Sequence, residues 1–68
     1  MMKADTLRLQ TEIERRQMTI AEFAKAAGFK SAEPLNRAIN KGWISYGAAR
    51  RISQYLKCSI FDVATTRF

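Results

Sequence analysis

The sequence predicts an all-α fold, a compact domain of five short helices. Apolar residues recur at spacings of three and four throughout, and no run of alternating β-branched residues interrupts them. Side chains with N-capping chemistry recur along the chain at Asp5 or Thr6, Thr19, Ser31, Ser45 and Ser59. The three glycines and one proline are scattered singly, as punctuation inside one unit rather than as a linker.

The first helix runs from about Leu7 to Arg16, capped by Asp5 or Thr6. Leu9 and Ile13 share its inner face, and Arg8, Glu12, Arg15 and Arg16 lie mostly outside. The second has the clearest start. Thr19-Ile20-Ala21-Glu22 forms a capping box, and Met18 and Phe23 stand at the positions of a hydrophobic staple. Gly28 suits the left-handed position that ends it. The small residues Ala24, Ala26, Ala27 and Gly28 permit close approach of another helix, and Phe29 plugs the corner.

A third helix begins at the Ser31 cap and ends near Lys41-Gly42. Pro34 falls in its first turn, where a missing N–H breaks no intrahelical bond. Ser45 caps a fourth helix to about Leu56, with Ala49, Ile52 and Leu56 inside and Arg50, Arg51 and Gln54 outside. Ser59-Ile60-Phe61-Asp62 is a second tetrad of capping-box type and starts a fifth helix. That helix brings Ile60, Phe61, Val63 and Ala64 to the core or to a partner, and Phe68 adds an apolar C-terminus.

Length and composition bound the function. A chain of 68 residues holds one domain. At that size a single core supplies no more than about 3 to 5 kcal/mol, so a second copy would add useful stability. With 47% hydrophobic residues the chain is not a disordered basic tail. The lone Cys58 makes no intramolecular disulfide and reads as a small buried hydrophobe, and without histidine there is no Cys/His metal set. No histidine, no base beside Cys58 and no glycine-rich phosphate loop leave nothing to build an enzyme from, and no cofactor is expected. No stretch approaches the ~20 apolar residues of a membrane span. The N-terminus lacks the apolar region of a secretory signal, so the expected location is cytoplasmic.

The charge is informative through its position. Twelve Lys and Arg against six Asp and Glu give +6, and the calculated pI is near 10.1. Such an excess fits a polyanion binder, either nucleic acid or an anionic membrane. Residues 30–51 carry Lys30, Arg37, Lys41, Arg50 and Arg51 against Glu33 alone, a net +4 in one third of the chain. A membrane-surface helix would instead set its basic residues opposite one broad apolar face.

The second and third helices, joined by a four-residue turn containing glycine, form a helix-turn-helix over about residues 19–41. On the third helix Leu35, Ala38 and Ile39 make the apolar side, and Glu33, Asn36, Arg37 and Asn40 fall at i, i+3, i+4 and i+7 on the other. Their chemistry matches base edges. Arg37 can donate to guanine O6 and N7, Asn36 or Asn40 can pair with adenine, and Glu33 can accept from cytosine N4. Thr19, Lys30, Lys41, Trp43, Ser45, Arg50 and Arg51 surround that stripe as phosphate contacts, with backbone N–H groups after Thr19 and Ser45 contributing. Trp43 and Tyr46 either rest on the sugar-phosphate backbone or pack against the third and fourth helices.

The run Met18-Thr19-Ile20-Ala21-Glu22-Phe23-Ala24 through Ala27-Gly28-Phe29 resembles the second helix and turn of the Cro/XRE-type helix-turn-helix family. Leu35-Asn36-Arg37-Ala38-Ile39-Asn40-Lys41-Gly42 looks like the recognition helix of small phage Cro repressors, and Ala49 through Val63 is similar to the family's last two helices. The resemblance implies a five-helix, lambda-repressor-like domain that binds double-stranded DNA as a homodimer on a palindromic operator, with Asn36 and Arg37 reading bases. Two departures stand out. Ile20 occupies a position where the family often has a phosphate-bonding glutamine, and the stretch from Gly28 to Leu35 is slightly longer than usual.

The alternative is an antitoxin or antirepressor on the same fold whose main partner is another protein; Glu33 on the presumed DNA face favours it. Ile60, Phe61, Val63 and Phe68 are the apolar candidates for a dimer contact. An excisionase-like winged helix also starts with a Thr-Ile-x-Glu-Ala-like helix, but no strand pattern is visible after Gly42.

Overall fold

The computed structural model describes residues 1–66. Its order is β1 (Met2–Ala4), α1 (Thr6–Arg15), α2 (Ile20–Ala26), α3 (Glu33–Lys41), β2 (Trp43–Ile44), α4 (Tyr46–Leu56), a 3-10 turn at Ile60–Asp62 and β3 (Ala64–Thr65). Four α-helices and a small sheet replace the expected five-helix, all-α domain. The fifth helix starts as its sequence dictates, with the Ser59 and Asp62 side chains closing a capping box. It lasts three residues because the chain is then drawn into the sheet, where the Asp5 N–H donates to the Val63 carbonyl at 2.8 Å.

β1 is the central strand and pairs antiparallel with both neighbours. Met2 faces Ile44 and Lys3 faces Trp43 on one side; Lys3 faces Thr65 and Ala4 faces Ala64 on the other. Met2 and Ala4 point into the core while Lys3 between them is exposed. The sheet thus ties the segment after α3 to both ends of the described chain. A strand does follow Gly42, contrary to expectation. It leads into α4 rather than into a hairpin, so the winged-helix arrangement is absent among the described residues.

The helix ends follow local chemistry. Asp5, not Thr6, caps α1, its carboxylate accepting from the Arg8 N–H at 3.0 Å. The Thr19/Glu22 capping box is present at α2, and Ser45 caps α4. After α2, Gly28 takes φ +96°, its N–H donates to the Lys25 carbonyl and the Phe29 N–H donates to the Ala24 carbonyl. That is the paired closure of a Schellman motif, and it turns Phe29 back against the core.

The connector from α2 to α3 is residues 27–32, longer than the four-residue turn expected. Ser31 does not cap α3; its hydroxyl accepts from the Glu33 N–H at 3.4 Å, and Ala32 stands at the cap position without a side-chain bond. Pro34 sits in the first turn as anticipated, and Gly42, at φ +81°, ends the helix.

The core draws one large, fully buried side chain from nearly every element: Leu9 of α1, Phe23 of α2, Leu35 of α3, Ile44 of β2, Ile52 of α4, and Val63 beside β3. Full burial stabilises each by about 1.5 to 3 kcal/mol relative to exposure. This packing fixes which face of α3 is turned outward.

Candidate nucleic-acid interface

Leu35 and Ala38 lock one side of α3 into the core, so helical geometry puts Glu33, Asn36, Arg37 and Asn40 on the other. With Lys41 they line a single open depression of about 260 Å³. The four residues expected to read bases are thereby brought together. Ile39 is partly buried against the core and faces Ile20 across a second depression shared with α1. Ile20, standing where a phosphate-bonding glutamine is usual in the resembling family, therefore serves packing.

Arg37 does not project freely. Its Nη2 donates to Glu33 Oε1 at 2.8 Å, and its guanidinium carbon lies 4.9 Å from the centre of the Trp43 ring. Both contacts are favourable for a planar cation, one as an ion pair and one as a cation–π stack. Trp43 is half-buried and belongs to β2, so the sheet holds the ring on which Arg37 rests. Through this stack Trp43 packs against the third helix. Nothing in its spacing from Arg37 announced this stack, because β2 was not foreseen.

The other positions expected to contact phosphate are not all gathered at this depression. Lys41 lines the depression itself. Thr19 and Ser45 are exposed, with hydroxyls already accepting from the Glu22 and Ala48 N–H groups. Lys30 is exposed and shares a separate depression of about 410 Å³ with Lys25, Phe29 and Ser31. Lys25 was not singled out from the sequence; its place in the last turn of α2, before the glycine, is the available signal. Arg50 and Arg51 are exposed on α4, and Arg51 Nη1 donates to the Gly28 carbonyl at 3.3 Å, tying α4 to the connector.

The dimer candidates divide. Phe61 is 64% exposed, whereas Ile60 is partly buried against the core. Val63 is fully buried in the core and is withdrawn as a contact, because its side chain is not accessible to a partner. Phe68 lies outside the described residues.

A second charged cluster lies on α1. Glu12 is buried, not outside as expected, and its carboxylate accepts from Arg16 and pairs with Arg8 and Arg15 at 3.5 and 3.6 Å. The hydrogen bond from Arg16 is the main reason its carboxyl is held below the ordinary value, against the opposing effect of burial. Arg16 also lies 5.6 Å from the centre of the Tyr55 ring, which in turn meets Phe23 edge-on. Burial pushes the half-buried Cys58 thiol up. No group of acidic, cysteine or histidine side chains able to hold a metal occurs among the described residues, and no described helix is long and apolar enough to cross a membrane.

In comparisons with known proteins, no family model matches the chain, and neither a curated protein nor a solved structure matches it.

Proposed function

We propose that this chain is a sequence-specific double-stranded DNA-binding regulator of transcription. In this reading it is a helix-turn-helix protein similar to the small phage Cro repressors, acting in the cytoplasm. One observation carries the proposal. Glu33, Asn36, Arg37, Asn40 and Lys41 converge on one open face of a helix whose opposite face is fixed in the core. α3 is then the recognition helix, with Arg37 donating to guanine and Asn36 or Asn40 pairing with adenine. The four surplus charges between residues 30 and 51 supply phosphate contacts around it. Glu33, which as a lone acidic residue favoured a protein partner, is paired with Arg37 inside this face.

The same reading has the chain act as a homodimer. Its longest extent is 29 Å, whereas half-sites on successive turns of DNA are about 34 Å apart. One copy therefore presents α3 to one half-site, and a palindromic operator takes two. Of the apolar candidates among the described residues, Phe61 is the exposed one available for that contact.

Selection of bound sequences from a random duplex library tests this directly. The expected result is enrichment of a short motif repeated as inverted half-sites, bound with an affinity that falls steeply with salt. A library that emerges unenriched would rule the proposal out.

A further inference from the structure

The contacts around Arg37 say more than that it is present on the face. We propose that Glu33 and Trp43 are positioning residues that make Arg37 selective: they hold its guanidinium in one place and keep it from binding phosphate indiscriminately. The inference rests on the DNA-binding reading and concerns how the same face discriminates among sequences.

A free arginine on a recognition surface serves any phosphate as readily as a guanine, and the counterions it releases favour every sequence alike. Here the charge is already matched. Glu33 Oε1 occupies one donor of Arg37 at 2.8 Å, and the Trp43 ring covers one face of the guanidinium at 4.9 Å. A guanidinium has five N–H donors, so the bond to Glu33 leaves others to meet guanine O6 and N7. A phosphate approaching the same site meets the Glu33 carboxylate, which is 72% exposed beside it. A guanine edge carries no net charge and meets no such repulsion.

The stack also restricts where the cation can go. Trp43 is paired with Lys3 across the β1–β2 ladder, so the ring belongs to the folded frame rather than to a free loop. A long side chain held on a fixed surface loses less freedom on binding. Sequence preference at the base pair facing Arg37 thus depends on Glu33 and Trp43, even where neither touches DNA.

The test uses the full chain, the enriched duplex and an unrelated duplex of equal length, with affinity measured across a salt series. Glu33→Gln should bind the unrelated duplex roughly three- to tenfold more tightly and steepen its salt dependence by about one unit, as expected for one freed cation. Its preference for the enriched duplex should shrink accordingly. Trp43→Ala should weaken the enriched duplex about tenfold with little effect on the unrelated one, and Trp43→Phe, which keeps an aromatic face, should restore most of that loss. Unchanged preference and salt slope in Glu33→Gln would overturn the inference while leaving DNA binding intact. Equal losses on both duplexes in Trp43→Ala and Trp43→Phe would reduce Trp43 to a packing role and overturn its part. Absence of duplex binding by the unaltered protein would overturn the functional reading and this inference together. Because Glu33 is exposed, its variant keeps the test decisive even if Trp43→Ala does not fold.

Discussion

Two Glu–Arg pairs with the same i, i+4 spacing stand in opposite settings in this molecule. Glu12–Arg16 on α1 has a carboxylate only 8% exposed, whereas Glu33–Arg37 on α3 has one 72% exposed. Both arginines also lie against an aromatic ring, Tyr55 and Trp43 respectively. What differs is the surroundings. Glu12 sits under three arginines and against the core, so its interactions are complete within the fold. Glu33 and Arg37 border an open depression with Asn36, Asn40 and Lys41, and their remaining hydrogen-bonding capacity faces solvent. Spacing alone therefore does not tell a pair whose interactions close within the fold from one that stays open to solvent; burial does.

The sharpest way to break the contrast is to remove the buried carboxylate. Glu12→Ala leaves Arg16, 30% exposed, without its closest partner and should destabilise the fold by about 2 to 3 kcal/mol in urea unfolding. Next in size, Arg37→Ala should cost about 1 to 3 kcal/mol on the enriched duplex while leaving the unfolding curve nearly unchanged. Arg16→Ala should show the reverse pattern, a loss of stability with the affinity of the folded protein intact.

Acid provides a third, smaller separation. The folded-state pKa of Glu12 lies below its ordinary value of 4.5, so its contribution to stability is complete above that value. It is lost as the pH falls through and below 4.5 toward the depressed folded value, because the unfolded chain takes up the proton first. Urea midpoints should decline over that window, and Glu12→Gln should flatten the decline. The smallest effect belongs to the exposed pair. Glu33→Ala should change stability by less than about 0.5 kcal/mol, and a loss as large as that of Glu12→Ala would erase the distinction.

Much of the helical frame was legible because its signals are local. The Thr19/Glu22 box, the Ser45 cap, Gly28 and Gly42 each act within one turn of the helix they delimit, and all four do so here. The sheet was not legible, since strands of two and three residues are too short to show alternation and their partners lie far apart in sequence. That omission turned Ala64 into part of a helix, left Val63 open to a dimer contact as well as to the core and hid the ring beneath Arg37. The grouping of Glu33, Asn36, Arg37 and Asn40 follows from helical periodicity alone, whereas the burial of Glu12 depends on which neighbour covers α1. No spacing rule carries that information.

We propose that α3, and not the charged face of α1, meets DNA. Titration of the isotope-labelled protein with the enriched duplex, followed by amide and side-chain NMR shifts, reads both regions at once. The largest changes are expected at Glu33 through Lys41 and at the Trp43 indole, with Arg8, Arg15, Arg16 and Tyr55 almost unmoved. Changes concentrated on the α1 arginines, with α3 silent, would contradict it.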